Sequence, residues 1–252
     1  MDPKRRICAG GEVTMKKAII IGATSGIGKS LCEILIGHGY AVGITGRRVD
    51  LLQSIQEQHP NNVCYQQIDV QGLSTLISKC DQLLDQLGGM DLLVISSGIG
   101  TINKDLSFDV ENNTIRTNVQ GFTAVADWGM AYFKKHGFGH LVNISSVAGI
   151  RGNGDAPAYF ASKAYQINYL EGMRLNAYKA GLNIYVTDVR PGFVDTAMAL
   201  GDGLFWMSHV DKAARQIFSA IKSKRKVVYI TKRWRLIGFA LKIIPYDFHK
   251  LF

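Results

Sequence analysis

At 252 residues and 47% hydrophobic content the chain can bury the core of one large α/β unit, and no Pro- or Ser-rich linker argues for a second. Its four cysteines, at 8, 32, 64 and 80, form no C-x-x-C pair to suggest a metal or redox centre; reduced packing residues in a cytoplasmic protein are expected, with no metal. The net charge of +9 sits mostly at one end: from Lys222 to Phe252 nine Lys/Arg face the single acid Asp247, and the remainder is near neutral.

In chain order, residues 1–14 are glycine-rich and basic and lack the apolar core of a secretion signal, so a disordered extension is expected there. Gly10-Gly11-Glu12 is what a translated ribosome-binding site encodes, and this makes Met15 a candidate initiator against the alternative of an ordinary tail. A first strand runs through Ala18-Ile19-Ile20-Ile21, followed by a helix over about Gly26–Gly37. Ala41–Thr45 predicts a second strand, Val49–Gln58 a helix and Val63–Ile68 a third strand. The helix-period residues Leu73, Leu76, Ile77, Leu83, Leu84 and Leu87 precede a fourth strand over Asp91–Ile95. A long helix from about Val110 to Lys135 leads to a strand at His140–Ile144; a helix over Pro157–Lys179 and strands at Asn183–Val189 and Val227–Ile230 complete the pattern. Strands separated by helix-length crossovers require a parallel sheet. The expected fold is therefore a doubly wound, Rossmann-like α/β domain over 15–231, about seven strands with helices on both faces, followed by a basic aromatic tail at 232–252.

The first strand breaks into Gly22-Ala23-Thr24-Ser25-Gly26-Ile27-Gly28-Lys29-Ser30, a loop fit to hold phosphate because glycines allow close backbone approach and the next helix begins with free N–H groups. Two motifs overlap in it. Gly22, Gly26 and Gly28 give a relative of the dinucleotide fingerprint, whereas Ala23 to Ser30 read A-x4-G-K-S, near a triphosphate loop. In a dinucleotide site the end of the second strand reads the adenosine ribose, and here it carries Gly46-Arg47-Arg48 with no acid before Asp50. One charge-assisted bond to a 2′-phosphate is worth about 1.5–3 kcal/mol, so NADP(H) is favoured over NAD(H), with Arg47 the first candidate ligand and Arg48 the second. A triphosphatase would need an acid such as Asp69 for Mg²⁺, and nothing else in the chain supports it.

Val142-Asn143-Ile144-Ser145-Ser146 closes a strand, and thirteen residues past Ser146 comes Tyr159-Phe160-Ala161-Ser162-Lys163. Tyr159 and Lys163 share a helix face. A phenol of pKa about 10 is a poor proton donor at neutral pH; a fixed ammonium that lowers it by about three units supplies roughly 4 kcal/mol. Ser146 would then hold the carbonyl oxygen, and neighbouring Ser145 points to the other face of its strand. Tyr-x3-Lys alone is weak evidence, since Tyr246–Lys250 repeats it without a serine thirteen residues earlier.

Taken together, these motifs resemble the short-chain dehydrogenase/reductase family from Met15 to about Ile230. The resemblance implies a glycine loop at Gly22, Thr24, Ser25, Gly26, Ile27 and Gly28, a catalytic Asn118 in Thr117-Asn118-Val119-Gln120-Gly121, and a post-strand signature Arg190-Pro191-Gly192-Phe193-Val194-Asp195-Thr196. It further implies that Tyr159 is the general acid–base, Ser146 orients the substrate and Lys163 binds nicotinamide ribose. Asn118 would support a water-linked proton relay. Asp69 and Val70 would border the adenine, Gly98 would admit the ribose, Val194 and Thr196 would contact the carboxamide, and Pro191 and Gly192 would also bind the cofactor. Ser96-Ser97-Gly98 departs from the family's Asn-Ala-Gly, so the asparagine contact at the sheet centre is absent or remade by a hydroxyl.

Residues 197–207 are apolar and glycine-hinged, fit either to close over a hydrophobic carbonyl or alcohol or simply to pack on the sheet. Arg151, Asn153 and Asp155 are candidate polar substrate contacts. In the tail, Trp234, Ile237, Leu241 and Ile244 form one helical stripe and Leu236, Phe239 and Ile243 the opposite one. Burial over the substrate pocket or against a partner subunit is expected, with peripheral contact to anionic membrane as the alternative; the segment is too short to span a bilayer. The expected setting is a cytoplasmic homo-oligomer acting on a small-molecule carbonyl or alcohol, with no nucleic-acid partner; a cofactor-binding sensor or scaffold without turnover is the competing class.

Overall fold

The computed structural model describes residues 15–196 and 206–245. The extension at 1–14, most of the apolar segment at 197–207 and the Tyr246–Lys250 pair lie outside the described residues.

The strands β1 (Lys16–Ile21), β2 (Tyr40–Gly46), β3 (Val63–Gln67), β4 (Leu92–Ile95), β5 (Phe138–Ile144), β6 (Asn183–Pro191) and β7 (Val227–Ile230) form one parallel sheet in the order β3-β2-β1-β4-β5-β6-β7. Near-continuous runs such as Ala18-Ile19-Ile20-Ile21 are buried on both faces, as a parallel sheet with two helical layers requires. One layer is α1 (Gly26–Gly37), α2 (Val49–Gln58) and α7 (Val210–Lys222), whose Leu31, Leu35, Leu52, Ile55 and Ile217 pack on Ile20, Ile44 and Val142. The other is α3 (Leu73–Leu87), α5 (Phe122–His136) and α6 (Pro157–Lys179), whose Leu76, Leu83, Val125, Phe133 and Leu170 pack on Ile19, Leu93 and Leu141. Each fully buried leucine or phenylalanine contributes about 1.5–3 kcal/mol. The short α4 (Phe108–Ile115) precedes α5, and α8 (Trp234–Ile243) follows β7.

Register decides where the site lies. Ile21 pairs with both Thr45 and Ile95, Ile95 is followed in the sheet by Asn143, and Ile144 pairs with Val189, so the C-terminal ends of five strands share one edge. The chain crosses from β3 to β4 past β2 and β1, leaving a crevice at the switch point above β1 and β4.

The expected long helix over 110–135 is helical throughout but not uniformly α. Between α4 and α5 the turn at Arg116–Gly121 widens to π-helical geometry, a rearrangement with no signature in hydrophobic period. Asn118 lies in that turn, and its side-chain amide bonds both backbone groups of Ile99, Oδ1 accepting from N at 2.9 Å and Nδ2 donating to O at 2.7 Å. A π turn shifts side chains out of α register, which suits a residue that must reach across to the loop after β4.

Candidate active site

The crevice opens into a cavity of about 990 Å³ lined from one end to the other by the loops after β1, β2, β3, β4, β5 and β6 and by one face each of α6 and α8. At the first end, Gly22 adopts φ +92° and a Cβ there would stand 2.7 Å from the Ser97 nitrogen; a Cβ on Gly28 would meet the Gly22 carbonyl at 2.0 Å. The turn can therefore be built only from glycine. The N-cap Ser25 makes no side-chain cap bond and the first turn of α1 carries no acid, which leaves its N–H groups for an anion. Arg48 donates through Nη2 to Thr24 Oγ1 at 2.8 Å and to Ser25 Oγ at 2.9 Å, placing its guanidinium over this loop. Arg47 lines the same end, its backbone carbonyl accepting from Gln67 Nε2. Spacing alone could not show that it is Arg48 that reaches back to the loop; both arginines, the first-ranked Arg47 included, line the cavity. Asp69 and Val70 border the cavity beside Arg47 and Arg48.

Lys29 is exposed and outside this cavity, and Ser30 donates to Asp211 of α7 at 2.9 Å. The A-x4-G-K-S reading is therefore not realised: its lysine and serine point away from the space its glycines frame.

At the middle of the cavity Ser146, Tyr159 and Lys163 converge. Ser146 caps the short turn at Val147–Ile150, accepting from Ala148 N at 3.1 Å, while Ser145 is spent on β6, donating to the Asp188 carboxylate and to the Val189 carbonyl. Tyr159 and Lys163 stand one turn apart on α6, with Lys163 Nζ 5.9 Å from the phenol ring centre. A Cβ on Gly98 would lie 3.4 Å from both Asn118 Oδ1 and Lys163 Nζ, so the backbone after β4 passes directly over the pair. Asn118 also donates to Ser162 Oγ at 3.0 Å, joining the π turn to α6.

The family model for short chain dehydrogenase matches residues 16–202. The chain belongs to the short-chain dehydrogenase family. An uncharacterized oxidoreductase of Myxococcus xanthus is 32% identical over 192 residues, 74% of this chain and 75% of that protein. A probable NADP-dependent dehydrogenase of Haemophilus influenzae is 30% identical over 178 residues, 69% of this chain and 70% of that one. Among solved structures, ElxO with NADP bound aligns at TM-score 0.76 with 21% identity, covering 86% of this chain and 97% of ElxO; serine dehydrogenase from Escherichia coli aligns at 0.73 with 22% identity, covering 84% and 96%. These structures share the fold.

Within this short-chain dehydrogenase the buried polar groups extend beyond what the motifs announce. Lys163 Nζ donates to the Ile144 carbonyl at 3.1 Å and to Gln166 Oε1 at 3.2 Å; Gln166 Nε2 donates in turn to the Asn118 carbonyl at 2.9 Å, and Asn143 Nδ2 donates to the same Oε1 at 3.1 Å. A side-chain amide thus bridges the ammonium and the asparagine peptide that the resemblance joins by water. Glu111 of α4 accepts from Ala158 N at 2.7 Å and from Asn103 at 2.5 Å, capping the helix that carries Tyr159. Neither Gln166 nor Glu111 belongs to a motif in the sequence; only the α6 spacing of Gln166, three residues past Lys163, placed it on the same face.

Burial pushes the Lys163 ammonium down to about 8, with the Asp188 carboxylate acting the other way. The Tyr159 phenol is raised from its ordinary value by burial, a hydrogen bond with Ser146 offsetting part of this. This is opposite in direction to the lowering expected from a neighbouring ammonium. The physical reason is that the same desolvation penalises both charged forms, and Lys163 already shares its charge with two oxygens of its own.

Arg151, a candidate substrate contact, lines the cavity and also donates to the carbonyl of Leu241 at 2.7 Å and to that of Ile244, fastening the C-terminal end of α8. Asn153 accepts from Asp155 N, and Asp155 pairs with Lys104 at 3.8 Å; both still line the cavity. Pro191, Gly192, Val194 and Thr196 line the cavity past β6. A Cβ on Gly192 would fall 2.0 Å from the Trp234 ring, so α8 is seated directly on the backbone of this segment. Trp234, Ile237 and Leu241 close the far end with an apolar wall. The departure at Ser96-Ser97-Gly98 is compensated nearby: Asn118 ties the following residue, Ile99, in place.

Proposed function

We propose that this oxidoreductase transfers hydride between NADP(H) and an apolar carbonyl or alcohol, with Tyr159 moving the proton. The observation that carries the reading is the convergence of Ser146, Tyr159 and Lys163 midway along a cavity whose one end is a glycine loop under Arg48 and whose other end is apolar, with the buried Asn118 amide beside Lys163 under Gly98. The residues fit a dinucleotide. The uncapped first turn of α1 and the Gly22–Gly28 turn suit a pyrophosphate, and Arg47 and Arg48, with no acid between Thr45 and Val49, suit a 2′-phosphate better than a bare ribose. The NADP-bound ElxO structure and the probable NADP-dependent relative support the same choice.

When bound, the nicotinamide supplies or accepts the hydride. Ser146 donates to the substrate oxygen and holds it toward Tyr159. In reduction the Tyr159 hydroxyl gives its proton to that oxygen as the carbonyl carbon gains hydride; in oxidation it takes the proton back. Lys163 stabilises the tyrosinate left behind, and Asn118 fixes the loop over both through Ile99. Ile237, Leu241 and Trp234 exclude water from the reacting carbon.

The test is NADPH consumption across a panel of apolar aldehydes and ketones, then the same assay with Tyr159→Phe. Loss of proton transfer costs about 10²–10⁴-fold in turnover. Retention of most activity by Tyr159→Phe would refute the mechanism, and absence of turnover across the panel by an enzyme that binds NADPH would favour a sensor.

A further inference from the structure

We propose that the outward face of α8 is a docking surface for an anionic lipid membrane. Helical spacing splits this short element into two apolar faces. Trp234, 4% exposed, lies with Ile237 and Leu241 toward the cavity, whereas Leu236, Phe239 and Ile243 are 73%, 65% and 64% exposed. The spacings of three, four and seven put these last three on one narrow stripe. Arg235 and Lys242, seven apart and both exposed, follow one edge of that stripe; Arg233 follows the other, and Lys232 stands a turn before Leu236. Beside the first turn, Trp206 and Met207 are each 46% exposed. The Arg233 guanidinium lies 5.0 Å from the Trp206 ring centre, and that ring meets Trp234 edge-on at 6.4 Å. A stripe of large apolar side chains edged by cations, with an indole at one end, is the arrangement of a helix that lies in a headgroup layer.

Charge chooses the occupant. No Asp or Glu occurs in the sequence between Lys212 and Pro245, and among the described residues Arg233, Arg235 and Lys242 make no ion pair. A second copy docked face to face about a twofold axis would set Arg233, Arg235 and Lys242 against like charges. A specific protein partner ordinarily covers about 20–30 residues a side, far more than this stripe offers. An anionic bilayer needs no such area, because each buried apolar side chain and each basic residue adds to binding separately. The contact is peripheral: no helix among the described residues is long and apolar enough to cross a membrane. The cavity would lie about one helix diameter, roughly 10 Å, from the lipid surface.

Co-sedimentation of the full chain with vesicles of phosphatidylcholine alone, and of phosphatidylcholine mixed equally with phosphatidylglycerol, tests this without any assay of turnover. Binding is expected to the mixed vesicles, to weaken with added salt and to be slight on the neutral ones. The triple substitution Leu236→Ser, Phe239→Ser, Ile243→Ser should weaken it about a hundredfold. The double substitution Arg235→Gln, Lys242→Gln should weaken it about thirtyfold. Both variants should keep the parent's melting temperature, since none of these side chains is buried. The inference is overturned if the parent ignores anionic vesicles, or if the triple variant binds them as well as the parent does. It is overturned equally if the parent shows no vesicle binding while the triple substitution abolishes self-association or capture of an acidic protein.

Discussion

Replacing Gln166 with leucine removes a bridge while keeping nearly the same bulk, and the structure says what is left behind. Gln166 is fully buried and makes three bonds, from Lys163 and Asn143 at its oxygen and to the Asn118 carbonyl from its nitrogen. Without it the Asn118 carbonyl and Asn143 Nδ2 lose their partner, and Asn143 Oδ1 already has none among the described residues. Two orphaned neutral groups cost about 1–3 kcal/mol each, offset by roughly 1.5 kcal/mol or more from burying leucine, so a net loss of about 1–4 kcal/mol is expected. The more telling effect falls on Lys163, whose ammonium keeps only the Ile144 carbonyl. A hydrogen bond to a charged group is worth about 1.5–3 kcal/mol, which moves the lysine's titration about one to two pH units further toward acid from its present value near 8. If the ammonium is the active form, the alkaline limb of the pH–rate profile moves acidward by that amount, and Gln166→Glu moves it toward alkali. Profiles of NADPH-dependent reduction from pH 6 to pH 10, beside urea unfolding curves, separate the two effects. A destabilised variant whose alkaline limb stays in place would refute the coupling and leave Gln166 as packing.

Three further outcomes rest on other parts of the molecule. Arg48→Ala should weaken NADPH binding about tenfold or more while leaving NADH nearly unchanged, measured by nucleotide fluorescence titration, because each charge-assisted bond to a 2′-phosphate is worth about 1.5–3 kcal/mol; Arg47→Ala gives the smaller change if the geometry over Thr24 and Ser25 holds. His140, buried against Thr187, with Tyr185 edge-on and Lys224 nearby, is pushed down to about 4 by burial first and by Lys224 second. Its folded value lies below the unfolded one, so the unfolded chain binds the extra proton. The stability from keeping it neutral is present above about pH 6.5 and is lost as pH falls toward 4, about 3 kcal/mol in all, and His140→Gln should flatten that stretch of the stability–pH curve. Gly192→Ala places a Cβ inside the Trp234 ring, so α8 must lift; protease cleavage within 232–245 should speed up and KM for apolar substrates should rise, at a stability cost of about 1–3 kcal/mol.

What the sequence disclosed and what it withheld divide along a physical line. The boundaries of α1, α2 and α6 follow from glycine, proline and apolar period, which are local signals, and the structure places them at Gly26–Gly37, Val49–Gln58 and Pro157–Lys179 as read. The motif residues Ser146, Tyr159 and Lys163 were legible because one helix face and one strand end fix their relation within a few residues of spacing. The π turn at Arg116–Gly121 was not, since its reason lies in the loop after β4, whose Ile99 backbone the Asn118 side chain satisfies. The second task of Arg151 was hidden for a similar cause: nothing near an arginine between Ser146 and Tyr159 shows that, besides lining the cavity, it caps the end of a helix ninety residues later.

The polar layer under the site shows why such residues escape a motif. Gln166, Asn143, Lys163, Asn118 and Ser162 are all buried, and each is acceptable inside a protein only because the others supply its bonds. Any one of them taken singly reads as an ordinary polar residue on an amphipathic helix or an odd choice within a strand. Burial supplies the missing constraint, because a side-chain amide inside the sheet–helix interface must find partners, and here those available are the ammonium and the peptide that the proposed reaction uses. The same desolvation that makes the layer costly lowers Lys163 toward neutral pH, and its stability and its titration are therefore set by the same contacts. A substitution in this layer that altered stability alone, at every position tried, would show that the site is merely built over the network rather than tuned by it.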